Sequence, residues 1–162
     1  MSTIVAVEKN GHAAVACDTM FSIGSIRSVN ADQTKALRVG ESVIAVAGFS
    51  VYLNILEHYF ADSDTVPALQ DEIAVFDFFL HFWRVLHDRY TYINDQSNSE
   101  HPSPFADLDA EFLVVNPAGI FKVKEILSVS QHKRFCAIGS GNEHAEGALQ
   151  ILYDGDRSVS DI

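Results

Sequence analysis

Of the side chains that could do chemistry, the seven histidines are the most obvious and the least informative. No two flank a glutamate at the helical spacing a zinc peptidase needs, and Glu57-His58 lacks its second histidine. His58, His81 and His87 stand among aromatics at helical spacing, where packing or surface roles account for them. Gly139-Ser140-Gly141 is too short for a dinucleotide loop, no phosphate-loop lysine follows it, and no Gly-x-Ser-x-Gly elbow occurs. Cys17 and Cys136 cannot make a four-thiolate site, and each reads as a buried thiol in an apolar run. No metal and no organic cofactor is therefore expected.

Position 2 offers a different chemistry. Met1 precedes Ser2, a residue small enough for the initiator methionine to be removed. Removal would leave a hydroxyl and a free α-amine on one residue. An α-amine has an ordinary pKa of about 7.7–8.0, so near neutral pH a large fraction can accept the hydroxyl proton. A nucleophile that carries its own base is one solution to hydroxyl activation. Met-Ser is also a common way for a chain to begin, so the pair gains weight only from its surroundings.

Those surroundings are short strands and two longer helical stretches. Residues 3–9 and 12–18 are β-rich runs joined by Asn10-Gly11, which suits a type I′ hairpin because both central positions need positive φ. The second run, HAAVACD, is apolar nearly throughout and reads as a strand covered on both faces, as does 42–49. Between them, 21–40 is mixed and polar. Tyr52, Ile55, Leu56 and Tyr59 mark one face of a helix. Ile73, Phe76, Leu80, Trp83 and Leu86 mark a second, with Asp71 and Glu72 suited to its first turn. Residues 91–110 are expected to form an exposed loop. Asn116-Pro117-Ala118-Gly119 joins two strands in a hairpin. A short strand, 134–138, then leads through Gly139-Ser140-Gly141 into a helix with Ala145, Ala148, Leu149 and Leu152 on one side.

At 162 residues the chain has room for about one domain with a real core. It is 48% apolar and 20% charged, an ordinary globular balance. The net charge of -11 argues against a nucleic-acid or anionic-membrane partner, since phosphate contacts need clustered Lys and Arg. No apolar stretch is long enough to span a bilayer. MSTIVAVEKNG has neither a basic leader nor an apolar signal core, so a cytoplasmic protein is expected. Strands, helices, strands and a last helix favour an α+β arrangement of stacked sheets covered by helices.

STIVAVEKNGHAAVACD, Ser22-Ile23-Gly24, TKALRV, AVAGFS and AIGSGNEHAEGAL occur in that order. Together they resemble HslV-type peptidases and, more distantly, proteasome β-subunits, and most of all the bacterial proteasome homologue branch. The resemblance implies an N-terminal-nucleophile (Ntn) hydrolase with a four-layer αββα sandwich, one domain over 1–162. It also implies a C-terminal part that these residues do not contain, since relatives continue through another helix and strand.

Site roles follow residue by residue. The family's nucleophile precedes its aspartate by sixteen positions, as Ser2 precedes Asp18, whereas Thr3 is one position short and would face the other side of the strand. Serine departs from the family's usual threonine and lacks the methyl that limits hydroxyl rotamers. Asp18 corresponds to the buried carboxylate, and Lys35 to the lysine whose charge favours the neutral amine. Gly48 corresponds to the oxyanion-hole glycine, and Ser140 to the serine near the amine. Phe21, Val46 and Phe49 fall where relatives line the side-chain pocket. The implied activity is that of a self-compartmentalising endopeptidase acting on peptides or unfolded proteins, assembled as a double ring of six or seven subunits per ring. An ATP-dependent unfoldase partner is left open. Two alternatives stand beside it: an Ntn amidase or acylase on small amides, and a structural ring protein whose site has decayed.

Overall fold

The computed structural model describes residues 2–23, 26–29, 34–63, 66–90 and 108–162. Met1, Gly24 and most of the loop expected over 91–110 lie outside the described residues. The strands are β1 (Ile4–Lys9), β2 (His12–Cys17), β3 (Met20–Ile23), β4 (Ile26–Val29), β5 (Ala36–Val39) and β6 (Ser42–Gly48). Helices α1 (Val51–Ala61) and α2 (Glu72–Arg89) follow. Then come β7 (Ala110–Asn116), β8 (Gly119–Val123), β9 (Val129–His132), β10 (Phe135–Ile138) and α3 (Asn142–Leu152).

The hairpin between β1 and β2 closes with Lys9 opposite His12, and Asn10 and Gly11 take φ of 54° and 76°, the type I′ pattern. β1 also pairs with β10, Ile4 facing Ile138, so it is central in a three-stranded sheet ordered β10-β1-β2. The second sheet runs β5-β6-β7-β8-β9, antiparallel throughout, and β3 and β4 form a separate hairpin. Three strands thus occupy the stretch read as mixed and polar. At four residues each, they are too short for alternation to stand out. β9, also four residues, escaped for the same reason.

Alternation along β6 and β7 builds two cores. Ile44, Val46, Phe112 and Val114 face a core completed by α1 and α2, with Tyr52, Ile55, Phe79, Phe82 and Leu86. Ala45, Ala47, Leu113 and Val115 face the other way and meet Ile4, Ala6, Cys136 and Ile138 of the first sheet. Side chains of period two therefore bind helices on one side and a sheet on the other. α3 lies against β10 and β1 with Leu149 buried, and its Glu146 Oε1 accepts the Ala137 N–H at 3.2 Å.

Two expectations about burial need correction. β2 is an edge strand with His12, Ala13 and Ala16 exposed, so HAAVAC is not covered on both faces. Alanine-rich runs read as buried although they carry little apolar surface. In α2 the buried stripe is Val75, Phe78, Phe79, Phe82 and Leu86, whereas Ile73 is 74% exposed and Phe76 40%. The helix carries two overlapping apolar stripes, and the aromatic one meets Phe112 across 4.8 Å. Asp71 caps α2 by accepting the Ala74 N–H at 2.8 Å.

Candidate active site

Ser2 leads the chain into β1, and the 139–141 turn after β10 holds it from both ends of its main chain. The Ser2 N–H donates to Ser140 Oγ at 3.2 Å, and the Gly141 N–H donates to the Ser2 carbonyl at 3.2 Å. That closeness demands glycine. A Cβ on Gly139, whose φ is +86°, would run into the Ser2 carbonyl oxygen, and one on Gly141 would run into Thr3 Oγ1.

Asp18 follows β2, opposite Thr3 by the hairpin register, and the two backbones are tied by an Asp18 N–H to Thr3 carbonyl bond of 3.1 Å. Its Oδ1 accepts the Thr3 N–H at 2.6 Å, and its Oδ2 accepts the Met20 N–H at 3.0 Å and Lys35 Nζ at 2.8 Å. Burial pushes the carboxyl upward, but the Lys35 hydrogen bond, the two backbone donors and the lysine charge together hold it below its ordinary value.

Lys35 stands just before β5, its carbonyl accepting the Val46 N–H at 2.9 Å. It is 3% exposed, and its ammonium donates to Ser2 Oγ at 3.1 Å as well as to Asp18. Its Nζ also lies 5.3 Å from the centre of the Phe21 ring, a cation–π distance. The hydroxyl the lysine reaches is therefore that of Ser2, while Thr3 Oγ1 packs by Gly141.

Ser2, Asp18, Lys35 and Ser140 thus form one hydrogen-bonded cluster, with Phe21 against it. Gly48 is the exposed last residue of β6, paired with Ala110, and among the described residues it has no hydrogen bond to the cluster. It stands two residues, about 7 Å along the strand, beyond the Val46 that bonds Lys35. Phe49 is 64% exposed beside it. Val46, expected at the side-chain pocket, instead buries its side chain in the core beneath the helices, and only its backbone N–H meets Lys35.

Sequence reasoning missed Glu111 of β7, whose Oε2 accepts the Gly139 N–H at 3.1 Å. An acid inside the apolar run AEFLVVN was the available signal. Among the described residues, no three His, Cys, Asp or Glu side chains come together as a metal set, and no helix is long and apolar enough to cross a membrane. Burial pushes the Cys136 thiol up to about 11.

No protein-family model matches the chain, and no curated protein does. Solved structures do. The BPH of Thiobacillus denitrificans superposes with a TM-score of 0.85 and 29% identity, over 95% of this chain and 80% of its own. The same protein in complex with epoxomicin matches with a TM-score of 0.84 over the same shares. The eukaryotic HslV of Trypanosoma brucei shares the fold, with a TM-score of 0.65 and 18% identity over 96% of this chain and 82% of its own. By these neighbours the chain falls within the proteasome/HslV superfamily, with a bacterial proteasome homologue among the structures it matches.

Proposed function

We propose that this chain is the subunit of a self-compartmentalising endopeptidase whose nucleophile is Ser2, freed by removal of Met1. The observation that carries the reading is the buried Lys35 ammonium, donating to Ser2 Oγ at 3.1 Å and Asp18 Oδ2 at 2.8 Å. A cation there lowers the cost of negative charge developing on the hydroxyl oxygen, and its like charge favours the neutral form of a nearby amine. In this scheme the Ser2 α-amine takes the Oγ proton as Oγ attacks the scissile carbonyl. The Gly48 N–H stabilises the oxyanion, and the proton passes to the departing amine as the C–N bond breaks. Water then cleaves the ester, with the α-amine again as base. Asp18 keeps Lys35 in place, and Ser140, within hydrogen-bond reach of the Ser2 nitrogen, serves as a proton relay.

The substrate would lie extended along a sheet edge, with Phe21 and the exposed Phe49 offering apolar surface to its side chain. The order of helices and sheets is read as the αββα sandwich, and the assembly as a double ring. Epoxomicin, found with the Thiobacillus protein, supplies the test. Intact mass should show loss of Met1 and one epoxomicin adduct, with neither adduct nor peptide hydrolysis in Ser2→Ala and its ring intact. Residual hydrolysis in Ser2→Ala would eliminate Ser2 as nucleophile. A processed protein that takes no adduct would leave the ring scaffold or the small-amide enzyme.

A further inference from the structure

Between the two sheets lies an ion pair the scheme above does not use. Glu111 of β7 and Lys122 of β8 meet at 3.0 Å, their side chains 22% and 13% exposed. They sit on the sheet face that carries Leu113 and Ile120 into the inter-sheet core. A charged pair in such a place recovers its desolvation cost poorly, so stability alone is a weak reason for it. Its remaining contacts point elsewhere. Glu111 Oε2 accepts the Gly139 N–H at 3.1 Å, and Lys122 Nζ lies 3.4 Å from the Ala137 carbonyl. Both reach across to the end of β10, where the strand becomes the turn that holds Ser2.

We propose that Glu111, oriented by Lys122, is a positioning residue that fixes the 139–141 turn against Ser2. The turn presents the Gly141 N–H and Ser140 Oγ to the Ser2 main chain and its Gly139 N–H to Glu111. One carboxylate therefore sets, from the five-stranded sheet, the place of a turn in the three-stranded one. Glu111 acts through the turn and touches no reacting atom. Its catalytic consequence rests on the Ser2 reading; its structural consequence does not.

The test compares the Met1-processed wild type with Glu111→Gln, Glu111→Asp and the double variant Glu111→Leu/Lys122→Met. Glutamine keeps an acceptor for the Gly139 N–H, aspartate keeps the charge but withdraws it by one methylene, and the double variant removes acceptor and charges together. A displacement of about 1 Å near a reacting group costs about 10²-fold in rate. The double variant should therefore keep a cooperative melt but lose about 10- to 100-fold in kcat for peptide hydrolysis, with KM unchanged. Glutamine should recover most of that rate. Amide hydrogen exchange across 137–142 should quicken at least tenfold in the double variant and not with glutamine. If the double variant does not fold, aspartate should show the same two effects more weakly. Wild-type kcat and exchange in a folded double variant, or glutamine as impaired as the double, would overturn the proposal. A wild type that neither hydrolyses peptide nor takes the epoxomicin adduct would sink the Ser2 reading alone, and exchange would still decide the role of Glu111.

Discussion

Lys35→Met removes one charge and little volume from the centre of the cluster, and its effects can be worked out from the contacts. The ammonium makes a charge-assisted bond to Ser2 Oγ at 3.1 Å and another to Asp18 Oδ2 at 2.8 Å. A hydrogen bond involving an ionised group contributes about 1.5–3 kcal/mol. If the bond to Ser2 strengthens as the hydroxyl is deprotonated, its loss slows reaction by about 10- to 150-fold. Removing one member of a buried ion pair costs about 3–5 kcal/mol, and the lower end applies because the Asp18 side chain is 28% exposed and keeps two backbone donors. About 3 kcal/mol in a chain of this length lowers Tm by roughly 6–12 °C. The pH dependence has a fixed sign. Because the folded Asp18 carboxyl lies below its ordinary 3.8, its contribution is present above that value and lost as pH falls through the folded pKa. The stability gap between wild type and Lys35→Met should therefore close in acid below 3.8. The assay is the rate of epoxomicin adduct formation by intact mass, beside melts at neutral and acid pH. Wild-type adduct rate in Lys35→Met would refute the role given to the lysine, and a Tm gap unchanged by acid would refute the pairing.

Three further outcomes follow from backbone and burial. Gly139→Ala puts a side chain at φ +86° and against the Ser2 carbonyl, so it should cost about 1–3 kcal/mol of stability and slow adduct formation by about 10²-fold; a wild-type rate would show that Ser2 tolerates displacement. Cys136, held near 11 and 1% exposed, should resist iodoacetamide at pH 8 in the native protein and react once unfolded. Its raised pKa contributes stability below the ordinary 9.0 that is lost as pH rises toward 11, so alkaline melts should fall faster for wild type than for Cys136→Ala.

Legibility in the sequence followed the range over which each signal acts. Asn10-Gly11 declares its turn because two positive φ values are a local demand, and α1 declares its face because Tyr52, Ile55 and Leu56 form one stripe. In α2 the choice between Ile73 with Phe76 and Phe78 with Phe82 depends on Phe112, more than twenty residues away, so local periodicity cannot make it. Resemblance singled out Ser2, Asp18, Lys35 and Ser140, and a network of side-chain hydrogen bonds joins these four. No resemblance pointed to Glu111, and its one local signal, an acid within the apolar run AEFLVVN, does not say what it binds. Its function is a bond to a backbone N–H twenty-eight positions on, and a backbone donor leaves no mark in a sequence.

The residues around Ser2 come from both sheets, which ties the site to the packing between them. The three-stranded sheet brings Ser2, Asp18 and Ser140 through β1, β2 and β10, while Lys35 arrives beside β5 and Glu111 on β7 of the five-stranded sheet. The bonds from Lys35 to Ser2 and Asp18, and from Gly139 to Glu111, therefore span the inter-sheet gap. The layer between the sheets mixes small side chains, Ala6 from one sheet and Ala45 and Ala47 from the other, with larger ones such as Ile4, Leu113 and Ile138, all buried. Close-packed interiors transmit a change of one methylene rather than absorb it. A larger residue at Ala45 or Ala47 is therefore expected to strain the packing between the sheets and to weaken the lysine and glutamate bridges together, which amide exchange across 137–142 would report. Both crossings lie towards one end of the layer, where β6 finishes and the 139–141 turn begins: Lys35 donates to Asp18 and Ser2 there, and Glu111 accepts the Gly139 N–H.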